Sequence, residues 1–332
     1  MLQYKNHHEV PGRVTLRLSA LLLACVAAVA STPAAAQSYP NKPIRMIVGF
    51  PAGGIMDIYG RSFANQLQQK LKSPVFVDNR PGAAGLIAAD LLIKAPPDGY
   101  TITHVVPSTV SKAFMKDVPF DVLKVMQPIA SAWVTPFVLT VNAQIPSGSL
   151  KEFVDYVKAN PGKVNFGFTN GPNKLPMAVF AGIAGLKLQA IDYKGASQMN
   201  SALVANEIQA VFNGYQSVIG FASTGKLNNL AVSGNQRFPT LPNVPTTTEL
   251  GYPGLDDLHS IGAMMGPVGV PPQITAVLNS AFHEIVVSPE SERMLRTTGR
   301  ALNVSNEELM KMVANEIAAW EAGAKVAGIQ NP

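Results

Sequence analysis

The stretch IRMIVGFPAGGIMDIYGRSFANQLQQKL, residues 44–71, holds the fold in miniature. Ile44 to Phe50 is an apolar run of strand length that stops at Pro51. Gly53 and Gly54 follow, and from Asp57 to Leu71 the apolar residues Ile58, Phe63 and Leu67 recur on one helical stripe. A strand that hands over to a helix through bare backbone is the repeating unit of a parallel β/α sheet. The unit repeats. Val75–Asn79 reads as a strand, Ala83–Lys94 as a helix and Tyr100–Pro107 as a strand.

Near Gln127–Asn142 the pattern changes to a long β-rich run interrupted by Pro136, the form of a strand that passes between two lobes. A second β/α series then begins. Ser149 and Glu152 make a capping box for a helix to about Lys158. Strands are expected at Lys163–Phe168, Leu188–Tyr193, Ala210–Asn213 and Leu230–Ser233. Helices are expected at Leu175–Ala184, Met199–Asn206 and Ser217–Ser223. A proline-rich loop leads to a second long strand at HSIGAMMGPVG, from His259. Helices over Pro272–Val287, Pro289–Thr298 and Asn306–Ala324 close the chain, and their natural place is on the first lobe. The expected fold is α/β: two β/α lobes, with the chain crossing between them twice. The first lobe would be 37–134 plus 259–332, and the second 135–258.

Residues 1–36 read differently. Lys5, Arg13 and Arg17 make a basic start, Leu18 to Ala30 is apolar, and Ala34 and Ala36 precede Gln37. This is the form of a secretory signal, and thirteen apolar residues are too few to cross a bilayer. The box Leu22-Leu23-Ala24-Cys25 admits lipidation at Cys25 as an alternative. Without these residues 23 basic and 20 acidic groups remain, a net charge of +3. That gives no support to nucleic-acid binding, which needs clustered basic residues. Cys25 is the only cysteine, so the mature chain has neither a disulfide nor a thiol nucleophile. With 47% hydrophobic and 14% charged residues, disorder is excluded. The expected product is a soluble protein outside the inner membrane, and the expected state a monomer.

The FPAGGIMD junction answers to an anion. First-turn N–H groups lack intrahelical acceptors and lie at the positive end of the helix dipole, and glycines remove the Cβ atoms that would hold a ligand off. Pro51 aims the turn. A carboxylate or phosphate oxygen is expected against the N–H groups of Ala52, Gly53, Gly54 and Ile55, with Asp57 as helix cap or ligand contact. The alternative is a tight turn and nothing more. No Gly-Lys-Ser/Thr follows, and the G-x-G-x-x-G spacing is absent, so this is neither a P-loop nor a dinucleotide site. A second strand-to-helix loop holds Thr169, Asn170, Gly171, Asn173 and Lys174, and DYKGA carries Lys194. His104, His259 and His283 form no HExxH, and no G-x-S-x-G elbow exists. No catalytic residue, metal or cofactor is expected. A cleft without a nucleophile and base suits binding without turnover.

The motifs YPNKPIRMIVGFPAGGIMDIYGR, VFVDNRPGAAGLIAAD, APPDGYT, DYKGA and LPNVPTTTELGYPG, in this order from about Tyr39 to the C-terminus, resemble the Bug (Bordetella uptake gene) or TctC family. These are periplasmic solute-binding proteins of tripartite tricarboxylate transporters. The resemblance implies two α/β lobes that close on a small organic acid, whose carboxylate rests on the backbone of Pro51 to Ile55, followed by Asp57. It implies a second-lobe loop at Thr169 to Asn173, delivery to a membrane permease, and no enzymatic activity. The sequence departs from the family pattern in the cleft. Lys174 replaces a histidine, Asn213 stands where aspartate is common, small and aliphatic residues occupy Ser260 to Gly262, and Val106–Ser111, with Ser108 and Thr109, is unusual. A binding protein that feeds a sensor kinase, and a secreted hydrolase on the same scaffold, are the competing readings.

Overall fold

The computed structural model describes residues 39–112, 118–169, 174–215, 219–296 and 298–326. The chain divides into two compact units, Met1–Asn41 and Lys42–Pro332. The expected signal segment and Cys25 lie outside the described residues. Everything below concerns the second unit.

The strands are β1 (Ile44–Val48), β2 (Val75–Asn79), β3 (Thr101–Val105), β4 (Met126–Asn142), β5 (Asn165–Thr169), β6 (Gln189–Tyr193), β7 (Ala210–Gly214), β8 (Leu227–Val232), β9 (His259–Pro267) and β10 (Arg300–Ala301). The helices are α1 (Ile55–Leu71), α2 (Leu86–Ile93), α3 (Val122–Val125), α4 (Leu150–Ala159), α5 (Leu175–Ala184), α6 (Ala196–Val204), α7 (Pro272–Val286), α8 (Pro289–Leu295) and α9 (Asn306–Val326). Ser149 caps α4 by accepting from the Glu152 N–H at 3.2 Å. Glu152 reaches back one residue further than a standard capping box, to the Gly148 N–H at 3.0 Å. Leu150, Phe153, Val154 and Val157 of α4 are buried, each worth about 1.5–3 kcal/mol of apolar transfer.

The hydrogen-bonded order repeats. In the first lobe it is β2-β1-β3-β9-β4, and in the second β6-β5-β7-β4-β8. In each, three parallel strands meet an antiparallel fourth: β9 against β3, and β4 against β7. Strand β4 serves both lobes. Up to Pro136 it pairs with β9, and from Phe137 it pairs with β7. Its first half runs parallel to β1–β3 because β9 is antiparallel to both, and its second half is antiparallel to β5–β7. The carboxyl ends of the two parallel triplets therefore face each other, the end at which β/α sheets take ligands.

Helix α9 departs from the expected assignment. Leu309 and Val313 pack in the first-lobe core, but Trp320 and Ala324 pack in the second-lobe core, and Ile317 touches both. Trp320 meets Phe137 edge-on with ring centroids 5.7 Å apart. The closing helix thus spans the lobes, because its apolar stripe is longer than one core. Two other expectations shift. Ala83–Gly85 is a 3₁₀ turn before α2, with Ala84 left-handed, so the helix starts at Leu86. In Ser217–Ser223, residues 217 and 218 are outside the described residues, and Ile219–Thr224 is 3₁₀.

The small residues of β9 have a partner. Gly262 lies opposite Trp133 of β4, and a Cβ there would overlap the indole. Trp133 is buried and donates through Nε1 to Nε2 of His104 at 2.9 Å. Burial depresses the His104 pKa to about 4, which keeps the imidazole a neutral acceptor. The Gly262→Ala variant is expected to lose about 1–3 kcal/mol through overpacking, read by urea unfolding followed by tryptophan fluorescence. An unchanged midpoint would mean that the indole moves aside freely.

Candidate functional site

The first-lobe wall of the cleft is built by the loops after β1, β2 and β3. After β1, Pro51, Ala52, Gly53, Gly54 and Ile55 are all exposed. Gly54 is the N-cap of α1 with extended backbone, and it has no side chain to cap with. Gly53 has φ +82°, a conformation that glycine adopts without strain. The expected helix start at Asp57 moves to Ile55.

Asp57 explains how this loop holds its shape. It is buried, and its Oδ2 accepts from the Gly53 N–H at 2.9 Å and from Arg61 Nε at 3.0 Å. Its Oδ1 accepts from Asn79 Nδ2 at 2.8 Å, and Asn79 also donates to the Phe50 carbonyl at 3.1 Å. Burial alone would raise its pKa. The bonds from Arg61, Gly53 and Asn79 outweigh that and hold it at about 2. Asp57 therefore braces the loop, with three of its acceptor sites engaged inside the protein.

The bracing uses up part of the cradle. The Gly53 N–H is committed to Asp57, and the Gly54 N–H points at the Pro51 carbonyl at 3.3 Å. Of the four N–H groups expected to meet an anion, Ala52 and Ile55 are left. Both lie at the dipole-positive end of a seventeen-residue helix.

The loop after β2 was missed as a cleft element. Ala83 and Ala84 are exposed and left-handed, with φ +45° and +50°, between Gly82 and Gly85. Alanine is uncommon there, and such backbone clusters at ligand-binding loops. The signal was the Pro81-Gly82…Gly85 punctuation, which brackets the two alanines. Asp78 anchors the loop by accepting from Arg45 and Arg80. Burial pushes its pKa up, but the two guanidinium groups prevail and lower it.

After β3 the chain makes a 3₁₀ turn, Pro107–Val110. Ser108 and Thr109 are corrected as side-chain ligands. Ser108 is fully buried and donates to Glu316 Oε1 at 2.7 Å, and Thr109 donates to the Val106 carbonyl at 2.8 Å. A turn packed under α9 satisfies its hydroxyls inside the protein.

On the second lobe, Thr169 ends β5 and is half-buried, while Asn170, Gly171 and Asn173 lie outside the described residues. Lys174 precedes α5, half-buried, with Nζ 5.8 Å from the centre of the Phe168 ring. Asn213 is half-buried in β7, and its Oδ1 accepts from the Gly214 N–H at 2.8 Å. Lys194 is exposed after β6. β1 and β5 occupy equivalent places in the repeated sheet order, and their carboxyl ends face each other.

Among the described residues, no three of His, Cys, Asp and Glu gather as a metal site, and no helix is long and apolar enough to cross a membrane.

Two α/β lobes sharing a crossing strand, with glycine-lined strand ends turned toward each other, define a solute-binding architecture. The family model described as tripartite tricarboxylate transporter family receptor, TctC, matches residues 59–328, and the chain belongs to that family. Protein BugT of Bordetella pertussis is 31% identical over 307 residues, 89% of this chain and 94% of BugT. A TctC solute binding protein from Polaromonas, solved without ligand, aligns with TM-score 0.76 at 28% identity over 87% of this chain and 99% of its own. An R. palustris protein solved with adipate aligns with TM-score 0.74 at 26% identity over 87% and 98%.

The Asp57 brace has a pH signature. Its native pKa lies below the ordinary value of 3.8, so its stabilisation is complete above about pH 4 and is lost as the pH falls toward 2. Asp57→Asn should lower the melting temperature at pH 7, with the gap to wild type closing as pH approaches 2 in thermal scans. A gap of constant size across that range would refute the brace.

Proposed function

We propose that the protein is a periplasmic receptor that captures a small organic acid between its lobes and delivers it to the membrane permease of a tripartite tricarboxylate transporter, without chemical turnover. The observation that carries the reading is the braced, glycine-lined β1–α1 junction, exposed and turned toward the opposite lobe at the positive end of a long helix. A carboxylate there exchanges water for charge-assisted N–H bonds in a site that closure dries. The adipate-bound R. palustris neighbour supports an organic acid as the ligand class. Family membership supports the periplasm, reached through a signal peptide at 1–36, and a permease partner.

The contact set in this reading is the backbone of Pro51, Ala52, Gly53, Gly54 and Ile55, with N–H donors at Ala52 and Ile55. The second-lobe contacts in this reading are Thr169, Lys174 and Asn213, with Asn170, Gly171 and Asn173 assigned from the sequence alone. The lobes divide at 134/135 and 258/259, a reading supported by the change of partner along β4 at Pro136.

Isothermal titration with adipate, followed by a panel of mono-, di- and tricarboxylates, tests the proposal. Micromolar or tighter affinity, about −8 kcal/mol or better, is expected for at least one member. In Gly54→Val the added Cβ sits 3.3 Å from the Pro51 carbonyl, and its methyl groups stand over the cradle. The variant should bind at least tenfold more weakly while losing about 1 kcal/mol of stability at the N-cap. Folded wild-type protein that gives no heat with any panel member would sink the carboxylate reading.

A further inference from the structure

The mechanism of capture leaves one buried acid unused. Glu316 sits on α9 with no exposed surface, between the Val313 turn that packs in the first core and Trp320, which packs in the second. Its Oε1 accepts from Ser108 Oγ at 2.7 Å. Ser108 belongs to the 3₁₀ turn at the carboxyl end of β3, one of the loops that face the opposite lobe, and its carbonyl in turn accepts from the Ser111 hydroxyl at 2.7 Å. The same helix therefore holds both cores and a wall of the cleft.

We propose that Glu316 is a positioning residue for the cleft: through Ser108 it locks the Pro107–Val110 turn to α9, so that the ligand-facing turn and the helix bridging the lobes move as one piece.

The surroundings suit a neutral carboxyl. β4, α5 and the 3₁₀ turn bring no ionisable side chain to α9. β9 carries His259, whose pKa burial depresses, and Asp257, which precedes that strand, acts on Glu316 through its charge. Burial, with Asp257 adding to it, raises the Glu316 pKa to about 8, against the opposing pull of the Ser108 bond and of the nearby Trp320 indole and Ile261 backbone. At neutral pH the group is a carboxylic acid, accepting from Ser108 without the cost of a buried charge. The raised pKa means that the native state holds a proton which the unfolded chain releases above about 4.5. Its stabilisation is thus complete below that pH and declines as pH rises toward 8.

Hydrogen–deuterium exchange of the full chain tests the lock without any ligand. In Glu316→Ala, amides of 106–111 should exchange at least tenfold faster, with β1 amides unchanged. In Glu316→Gln, which keeps the acceptor for Ser108, protection should stay near wild type. After correction for intrinsic rates, wild-type protection of this turn should fall between pH 7 and 9, and that of Glu316→Gln should not. Unaltered protection in Glu316→Ala, or loss spread evenly over the whole chain, would overturn the assignment, as would identical pH profiles for wild type and Glu316→Gln. Adipate titration adds an arm that rests on the proposed function: affinity should fall at least tenfold in Glu316→Ala and survive in Glu316→Gln. Were no carboxylate to bind wild type, the proposed function would fall while the exchange data still decided the role of Glu316.

Discussion

A single seventeen-residue strand has to satisfy two sheets, and the molecule is arranged around how it does so. Every peptide of a buried strand needs a partner for its N–H and C=O. β4 meets this demand with β9 and β10 along its first half and with β7 and β8 along its second. The handover falls at Pro136, which pairs opposite His259 and has no N–H to leave unpaired where one ladder stops and the next begins. Because β4 keeps one direction through both lobes, it forces the two parallel triplets to point at each other. The cleft follows from strand polarity before any side chain is considered.

That much was legible in the sequence because it is written in local pattern. The apolar runs, the Pro51-Ala52-Gly53-Gly54 break, the Ser149 cap and the proline inside the long strand each act within a few residues. What escaped depends on partners distant in sequence. Asp57 looks like a cap or a contact until Asn79 and Arg61 are seen to fill its lone pairs. Ser108 looks like a polar loop residue until a helix two hundred residues away covers it. Gly262 looks like an unfilled position until Trp133 of the facing strand is seen to occupy the space beside it. The left-handed pair Ala83 and Ala84 was hidden because alanine reads as helix former.

The Asp57 arrangement carries a cost that bears on the proposed role of the loop. A carboxylate at the third position of α1 favours the helix dipole, yet it adds a negative charge close to where an anion would lie. Arg61, one turn on and half exposed, offsets that charge. The exchange is geometric rather than electrostatic. Two N–H groups are given up to fix the turn, and in the proposed binding mode the Ala52 and Ile55 donors would not have to be ordered on binding. Preorganisation of that kind converts directly into affinity, since the ordering entropy is settled on folding.

Helix α9 extends the same logic from the loop to the lobes. A hinge made only of strands β4 and β9 would let the lobes rotate with little to oppose them. A helix with Leu309 and Val313 in one core and Trp320 and Ala324 in the other cannot follow such a rotation without shifting the Trp320–Phe137 contact or bending between the two. Side chains packed at interior density slide in small steps along preferred rotamers and resist continuous deformation. On the proposed function, opening and closure would have to keep Trp320 seated, with the Glu316–Ser108 bond lying between the two cores that the helix joins. The residue that joins the bridge to the cleft wall is also the one whose burial makes it sensitive to its proton. The physical demand for a neutral, hydrogen-bonded group inside the junction is what ties the stiffness of the bridge to the shape of the binding surface.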